Sequence, residues 1–419
     1  MILSVQCLKT PSEDPPPPGH DKNLPVIRII TEYNAPISNR ADWVTMTFSL
    51  TDPNNPKNNI AEIRNHQIRG RGNVSWFFPK KSYRIRFRSG REQSLLGLPA
   101  ARNWVLLAEF MDPTFLMNAV AFELGRNVFD LPFTCTYHHV HVYINHYYAG
   151  LYGLAEHRQV DPAGIGAPGR VKVDLPEGWF VEMDSYYDAV PKFRTTDYNL
   201  PIMIKTNIFG SDSNDPGYDY VKNDWNELCR LMASETFPEN GYRDLIDLNN
   251  FVDYIMINDI VLNGELYHPK SVFAYKKDND SKISLGPLWD FDWAYGYVSG
   301  HRYFSDYPHQ SLEQPSGSRD LPKHRFFQRF FEDPVFVTRY KERWNEKYSE
   351  IAAVSSYMDD ARRQIRSGVE DNYQRWAYHF WNGYDHDHTR QISNLKGWYE
   401  RRINWLNTQI NLWNTDDTD

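Results

Sequence analysis

The segment GPLWDFDWAYG, residues 286–296, sets two carboxylates, Asp290 and Asp292, in an otherwise apolar and aromatic run. Burying a carboxylate is costly unless a cation or hydrogen-bond donors meet it. A metal ion is one such partner and a structural hydrogen-bond network is another. Upstream, GELYHPK (264–270) adds Glu265, His268 and Lys270. Carboxylate oxygens suit Mg²⁺, Mn²⁺ or Ca²⁺. A carboxylate beside such an ion can orient or deprotonate a hydroxyl, and Lys270 can neutralise a phosphate. These parts match phosphoryl transfer, in which a protein chiefly positions groups and neutralises charge.

The elements that must position these groups are readable nearby. SVFAY (271–275) and KISLGPLW (282–289) are strand-like, with the polar turn KKDNDS between them. A turn centred near Asn279 makes residue i face roughly 558 − i, which sets Asp290 opposite His268 at the ~4.8 Å spacing of paired strands. Glu265, His268, Lys270, Asp290 and Asp292 are therefore expected at the open end of one hairpin. Asp290, the first acid at the strand exit, is the expected metal ligand, with Asp292 beside it. LNNFVDYIMINDIVLNG, just before, reads as an amphipathic helix ending at Asn-Gly.

Residues 25–90 read as β. In DWVTMTFSLTD the residues Val44, Met46, Phe48 and Leu50 alternate with Thr45, Thr47 and Ser49, the pattern of a half-buried strand. In the strand around YRIRFR, Tyr83, Ile85 and Phe87 share one face and Arg84, Arg86 and Arg88 the other. Lys81 has the parity of the apolar face, so its ammonium is expected to point inward and to need an anionic partner. The preceding RGRGNVSW offers Arg69, Arg71 and flexible glycines with backbone N–H groups, all suited to anions. Asp112-Pro113 reads as a helix start, with Gly125 as its end. HHVHVYINHYYAGLYGLAEH reads as a hairpin turning within Asn145–Gly150. WFVEMD and PIMIKT are strands, the second carrying Lys205. Residues 332–414 read as helices rich in Trp, Tyr and Arg. His138, His139, His141 and the DHDH at 385–388 read as strand surface and solvated loop rather than metal ligands.

Composition sets bounds on these readings. The 419-residue chain is 41% apolar, 24% charged and 15% aromatic, the profile of a globular protein with large cores. A formal charge of −8 argues against a nucleic-acid backbone binder and a polybasic membrane anchor. No apolar run approaches the ~20 residues of a membrane helix. The cysteines, Cys7, Cys135 and Cys229, are odd in number and far apart, so neither a zinc site nor a disulfide framework is expected. Cys135 and Cys229 lie in apolar surroundings and read as buried thiols. MILSVQC followed by KTPSEDPPPPGHDK resembles the tail of a lipoprotein signal and a stiff tether, which makes Cys7 a candidate lipid anchor. The expected organisation is a tether over 1–24, a β-rich part over 25–160, and a mostly helical part with the catalytic hairpin over 161–419.

RGRGNVSWFFPKKSYRIRF, NWVLLAEFMDPTFLMNAVAFELGR, VHVYINHYYAGLYGLAEH and GPLWDFDWAYG together resemble the CotH kinase family, the spore-coat-type atypical protein kinases, over about residues 60–410. The resemblance implies an α+β, protein-kinase-like two-lobed fold, with a β-rich N-terminal lobe and a mostly helical C-terminal lobe. It implies ATP- and Mg²⁺-dependent phosphorylation of protein substrates on serine, outside the bacterial cytoplasm. The W-D-x-D segment of the family supplies its metal-binding aspartate, which corresponds to Asp290. The acid acting on the substrate hydroxyl corresponds to Glu265, where better-studied members carry aspartate. Their asparagine before the strand is replaced by Lys270 or Ser271. In a kinase reading Lys81 and the Arg69–Arg71 loop would steady the phosphates, while the resemblance adds Lys205 as a further candidate and sets Glu156, ending GLYGLAE, near adenine. The alternative is an inactive kinase-like surface lipoprotein that binds a glycan or a protein partner. A metal-dependent hydrolase is a more distant reading, since no water-activating His/Asp set accompanies the acids.

Overall fold

A computed structural model describes residues 23–161, 166–206, 216–298, 302–304, 322–376 and 386–413. The N-terminal segment with Cys7, and Asp385 of the DHDH run, lie outside the described residues. The chain forms two compact units. One comprises residues up to Phe110 with His138–Leu154 and Arg363–His388; the other comprises Met111–Tyr137, Ala155–Arg362 and Thr389 onward.

The first unit is built on seven strands: β1 (Val26–Thr31), β2 (Val44–Thr51), β3 (Ile60–Arg71), β4 (Ser82–Arg86), β5 (Asn103–Leu107), β6 (His138–Ile144) and β7 (Tyr147–Glu156). They close into a barrel in the order β1-β2-β3-β4-β5-β7-β6. β1 pairs antiparallel with β2 on one side and parallel with β6 on the other, so the sheet returns on itself. This closure corrects the two-lobed protein-kinase-like fold: the β-rich region is a closed seven-stranded barrel, followed by a helical C-terminal part. The alternating residues fill its interior, with Met46, Phe48, Leu50, Ile68, Ile85 and Phe87 all buried against Ile27, Ile29, Trp104 and Val142. The β6–β7 hairpin turns tightly at Asn145 and His146, whose φ values of 51° and 72° match a two-residue loop that follows the strand twist. His141 is buried rather than on the strand surface, with Nδ1 2.9 Å from the Tyr148 hydroxyl. Gly70 is required by close approach: a Cβ there would lie 2.2 Å from the Trp76 ring.

The second unit opens with the short helix α1 (Met117–Glu123), which continues as a wider π turn over Leu124–Val128. The expected start at Asp112-Pro113 is therefore too early. Asp112 still serves the helix end: its Oδ2 accepts from Met117 N at 2.8 Å, while Oδ1 holds Thr114. Gly125 does not end the helix; a Cβ there would come within 2.5 Å of Leu288. Two short strands, β8 (Gln159–Val160) and β9 (Arg170–Val171), pair in parallel. A five-stranded sheet follows, in the order β11-β12-β10-β13-β14, from β10 (Trp179–Met183), β11 (Lys192–Arg194), β12 (Pro201–Ile204), β13 (Val272–Lys276) and β14 (Ser284–Leu285). The helices are α2 (Pro216–Ala233), α3 (Tyr242–Leu245), α4 (Leu248–Ile260), α5 (Pro322–Arg329), α6 (Pro334–Trp376) and α7 (His388–Leu412).

α4 departs from the amphipathic expectation. Every residue from Asn250 to Ile260 is buried, as befits a helix surrounded on all sides. Its polar residues are met by partners: Asp253 takes two bonds from Arg343, and Asn250 exchanges bonds with the Leu285 backbone. Asp259 receives the buried Arg402 of α7 at 2.9 Å. Cys135 and Cys229 are buried thiols, and burial pushes Cys229 up to about 12. No described helix is long and apolar enough to cross a membrane.

Candidate functional site

The site grows from the loop joining α4 to β13. Asn263 caps a short 3-10 turn (Gly264–Tyr267), its side chain accepting from Glu265 N at 3.2 Å. The loop is bracketed by Leu262 and Ser271, with φ values of 50° and 51°, in the left-handed region that side chains with a Cβ occupy only at a cost. The WDFD segment then docks on the loop through its backbone: Tyr295 N donates to Val261 O at 2.7 Å, and Gly264 N to Trp293 O at 3.3 Å.

The sequence-based register was close but reached this arrangement by another route. In the β13–β14 ladder Ala274 faces Leu285 and Tyr275 faces Ser284, so facing residue numbers sum to 559 rather than 558. The ladder ends at Leu285, however, and Asp290 has a φ of 63°, so the hairpin does not run on to the acids. Trp289 and Phe291 turn inward instead. Both pack against Phe122 of α1, with ring centroids 5.9 and 6.1 Å away. The two aspartates between and after them remain half-buried.

Asp290 Oδ2 accepts a hydrogen bond from the Ser271 hydroxyl at 3.0 Å. Glu265 is 6% exposed and its Oε2 has no hydrogen-bond partner; the His268 Nε2 is 3.9 Å away. Burial pushes Glu265 up to about 9, the Asp290 charge adds most to that, Lys270 opposes it, and Asp184 and Asp292 add less. Without a cation beside it, burial and the Asp290 charge thus favour the protonated form of Glu265. Lys270 holds its ammonium 4.1 Å from the Trp293 ring and 5.1 Å from the Tyr186 ring. Of the expected site residues, Glu265, Lys270, Asp290 and Asp292 are thus brought within electrostatic reach of one another.

One acid here escaped the sequence reading. Asp184 ends the WFVEMD strand, is buried, and accepts from Tyr186 N at 2.7 Å and Ser271 N at 3.3 Å. Burial pushes it up to about 6, with Glu182 and Asp290 adding to the effect. The β10–β13 register sets Met183 against Val272, so the next pair along would be Asp184 and Ser271. Only that register reveals its place. Lys205, just past the end of β12, pairs with Glu182 of β10 at 2.6 Å.

Other expectations are revised. The Glu156 carboxylate is buried and satisfied by Thr136, through N at 2.9 Å and Oγ1 at 2.6 Å, so it is a structural anchor rather than an edge group. Arg69, Arg71 and Lys81 belong to the barrel unit. Ile68 faces the barrel core, so Arg69 and Arg71 face outward by alternation. Lys81 is half-buried and donates to Trp76 O at 2.7 Å, a neutral acceptor. The buried lysine is its neighbour, Lys80, fully enclosed, donating to Leu151 O and 4.5 Å from the Tyr152 ring. Burial holds Lys80 well below the usual lysine range, with Glu109 opposing. The parity argument fails because β4 begins at Ser82, after both lysines.

The acids suit a hard cation. Among the described residues no group of three or more His, Cys, Asp or Glu side chains is set to hold a metal ion. Mg²⁺ commonly takes only one or two carboxylates and completes its shell with water and phosphate oxygens. Asp290, with the unpartnered oxygen of Glu265 near it, meets that lesser requirement.

Comparison with known proteins gives one result. The family model described as CotH kinase protein matches residues 68–406. No curated protein matches the chain.

Proposed function

The chain belongs to the CotH kinase family, and from that premise we propose that it transfers the γ-phosphoryl group of ATP to a serine hydroxyl of a protein substrate. The observation that carries the reading is Glu265, a buried carboxyl with an unpartnered oxygen beside Asp290 and Lys270. A structural acid in such a place would normally have its oxygens satisfied.

In this reading Asp290 holds Mg²⁺, with Asp292 beside it. The ion supplies charge neutralisation on the phosphates and favours the ionised form of nearby carboxyls when bound. Glu265 orients the acceptor hydroxyl and takes its proton as the hydroxyl oxygen bonds to phosphorus and the bond to the ADP oxygen breaks. Lys270, held over Trp293, neutralises phosphate charge. Asp184 and Ser271 fix the backbone and side chain around Asp290. The reading includes an extracytoplasmic setting, supported by the short apolar run before Cys7 and the proline-rich stretch after it.

Thermal-shift titration tests the site directly. ATP with Mg²⁺ is expected to raise the melting temperature of the natural chain, a stabilisation of about 2.7 kcal/mol at a hundredfold excess over Kd. Asp290→Asn is expected to lose that shift and serine phosphorylation together. Full ³²P transfer by Asp290→Asn would remove Asp290 from the chemistry. A shift with oligosaccharides and none with nucleotides would decide for a glycan-binding protein instead.

A further inference from the structure

LNNFVDYIMINDIVLNG carries two asparagines near its end, Asn258 and Asn263, whose side chains the chemistry above leaves unassigned. The Asn-Gly pair reads as a helix end, yet the left-handed residue that ends α4 is Leu262, with a φ of 50°. Leu262 N donates to Asp259 O at 3.0 Å and Asn263 N to Asn258 O at 2.8 Å. Two such bonds around a left-handed residue close the last turn of a helix and satisfy its carbonyls. Glycine is the usual residue there, and leucine holds that conformation at a cost.

Asn263 therefore belongs to two elements at once. Its backbone ends α4, and its side chain caps the 3-10 turn that carries Glu265, accepting from Glu265 N at 3.2 Å. Its Nδ2 donates to Asn258 Oδ1 at 2.9 Å, and Asn258 Nδ2 donates to Tyr254 O at 2.9 Å. The two asparagines are 2% and 3% exposed. The hydrogen-bond chain has one sense only: the Tyr254 carbonyl can only accept and the Glu265 N–H can only donate, which fixes both amides between them.

Glu265 needs such a hold. Its Oε2 has no hydrogen-bond partner, so that oxygen does not anchor the side chain. Two other backbone bonds of the turn, Gly264 N to Trp293 O and Lys270 N to Glu265 O, are each 3.3 Å long. α4, by contrast, is buried from Asn250 to Ile260. The asparagine pair carries the position of that enclosed helix to the acid.

We propose that Asn263, tied to α4 through Asn258, is a positioning residue for phosphoryl transfer: it sets the Glu265 carboxyl where the acceptor hydroxyl must lie. The proposal rests on Glu265 as the base. A displacement of about 1 Å at a reacting group costs about a hundredfold in rate.

Asn263→Ala, assayed as the full chain with a serine peptide and ATP–Mg²⁺, is expected to lower kcat about a hundredfold and to leave KM for ATP within about twofold. The nucleotide thermal shift should persist, because Asp290 is held by Ser271 instead. In a Glu265→Gln background the same change is expected to cost no more than about threefold, since both act through one carboxyl. Equal losses in the two backgrounds, or an unchanged kcat, overturn the proposal and leave Glu265 as the base. Undiminished transfer by Glu265→Gln overturns the role of Glu265 and this proposal with it. Asn263→Ser keeps a cap oxygen but no amide for Asn258; it is expected to fall between, and it serves if the alanine variant does not fold. Amide hydrogen exchange reads the same hold without any activity. Asn263→Ala is expected to speed exchange over residues 264–270 about tenfold, with α4 unchanged. Unchanged protection of 264–270 overturns the proposal whether or not the chain transfers phosphate.

Discussion

Replacing Glu265 by glutamine is expected to lower phosphoryl transfer by about 10²–10⁴-fold, the usual weight of a general base, while making the protein more stable above neutral pH. The two effects have one origin. Burial first, and then the Asp290 charge, push the Glu265 carboxyl up to about 9, so the folded chain keeps a proton that the unfolded chain releases near 4.5. A carboxyl raised in this way contributes stability that is fully present below about pH 4.5 and is lost as pH rises through about 9. Asp184 acts with the same sign over a narrower window, from its ordinary 3.8 to about 6. Glutamine has the shape of the protonated acid and nothing to ionise. The melting temperature of Glu265→Gln should therefore exceed that of the natural chain at pH 8, with the two curves meeting in mild acid. Parallel curves would mean that Glu265 does not hold its proton, and undiminished transfer would take it out of the chemistry.

The second large effect is on folding. Arg402 of α7 is fully buried and donates through Nη2 to Asp259 Oδ1 at 2.9 Å and to the Asp259 carbonyl at 2.6 Å. The Tyr340 hydroxyl of α6 reaches Asp259 Oδ2 at 3.2 Å. Three helices thus meet on one carboxylate at the end of α4, two residues before the loop that carries Glu265. Removing one member of a buried ion pair strands the other, so Arg402→Ala is expected to cost about 3–5 kcal/mol in urea unfolding. Replacing both partners by apolar residues of similar volume should cost much less, because neither charge is then left behind. A loss below about 1 kcal/mol for Arg402→Ala would place the pair among weak surface interactions. If the double replacement were as damaging as the single one, packing rather than stranded charge would be the cause.

What could be read from the sequence divides along a physical line. β2, β4 and the β6–β7 hairpin follow from local alternation, and the structure puts Met46, Phe48, Ile85 and Val142 in the core. The turn near Asn279 returns the chain as far as Leu285, but the gathering of Glu265, Lys270 and the two aspartates depends on later backbone bonds, Tyr295 N to Val261 O and Gly264 N to Trp293 O. Features set by distant partners were not legible. Nothing near Val26 announces a parallel neighbour at His141, so barrel closure was missed. α4 carries Asn250, Asp253 and Asp259 and reads as two-faced, yet partners from α6, α7 and β14 let those polar groups be buried. Lys81 reads as core-facing only if β4 reaches back to it; β4 begins at Ser82, and the enclosed lysine is Lys80.

Barrel closure also orders events in time. Ile27 pairs with Leu50 nearby but with Val142 far along the chain. Contacts of such wide sequence separation form slowly, because a long loop must be closed before they are rewarded. As the chain leaves the ribosome, β1 can zip onto β2 early, yet its other edge stays unsatisfied until the sixth strand has emerged. A nascent chain halted before that strand is the form most exposed to strand-swapped misassembly and most dependent on chaperones.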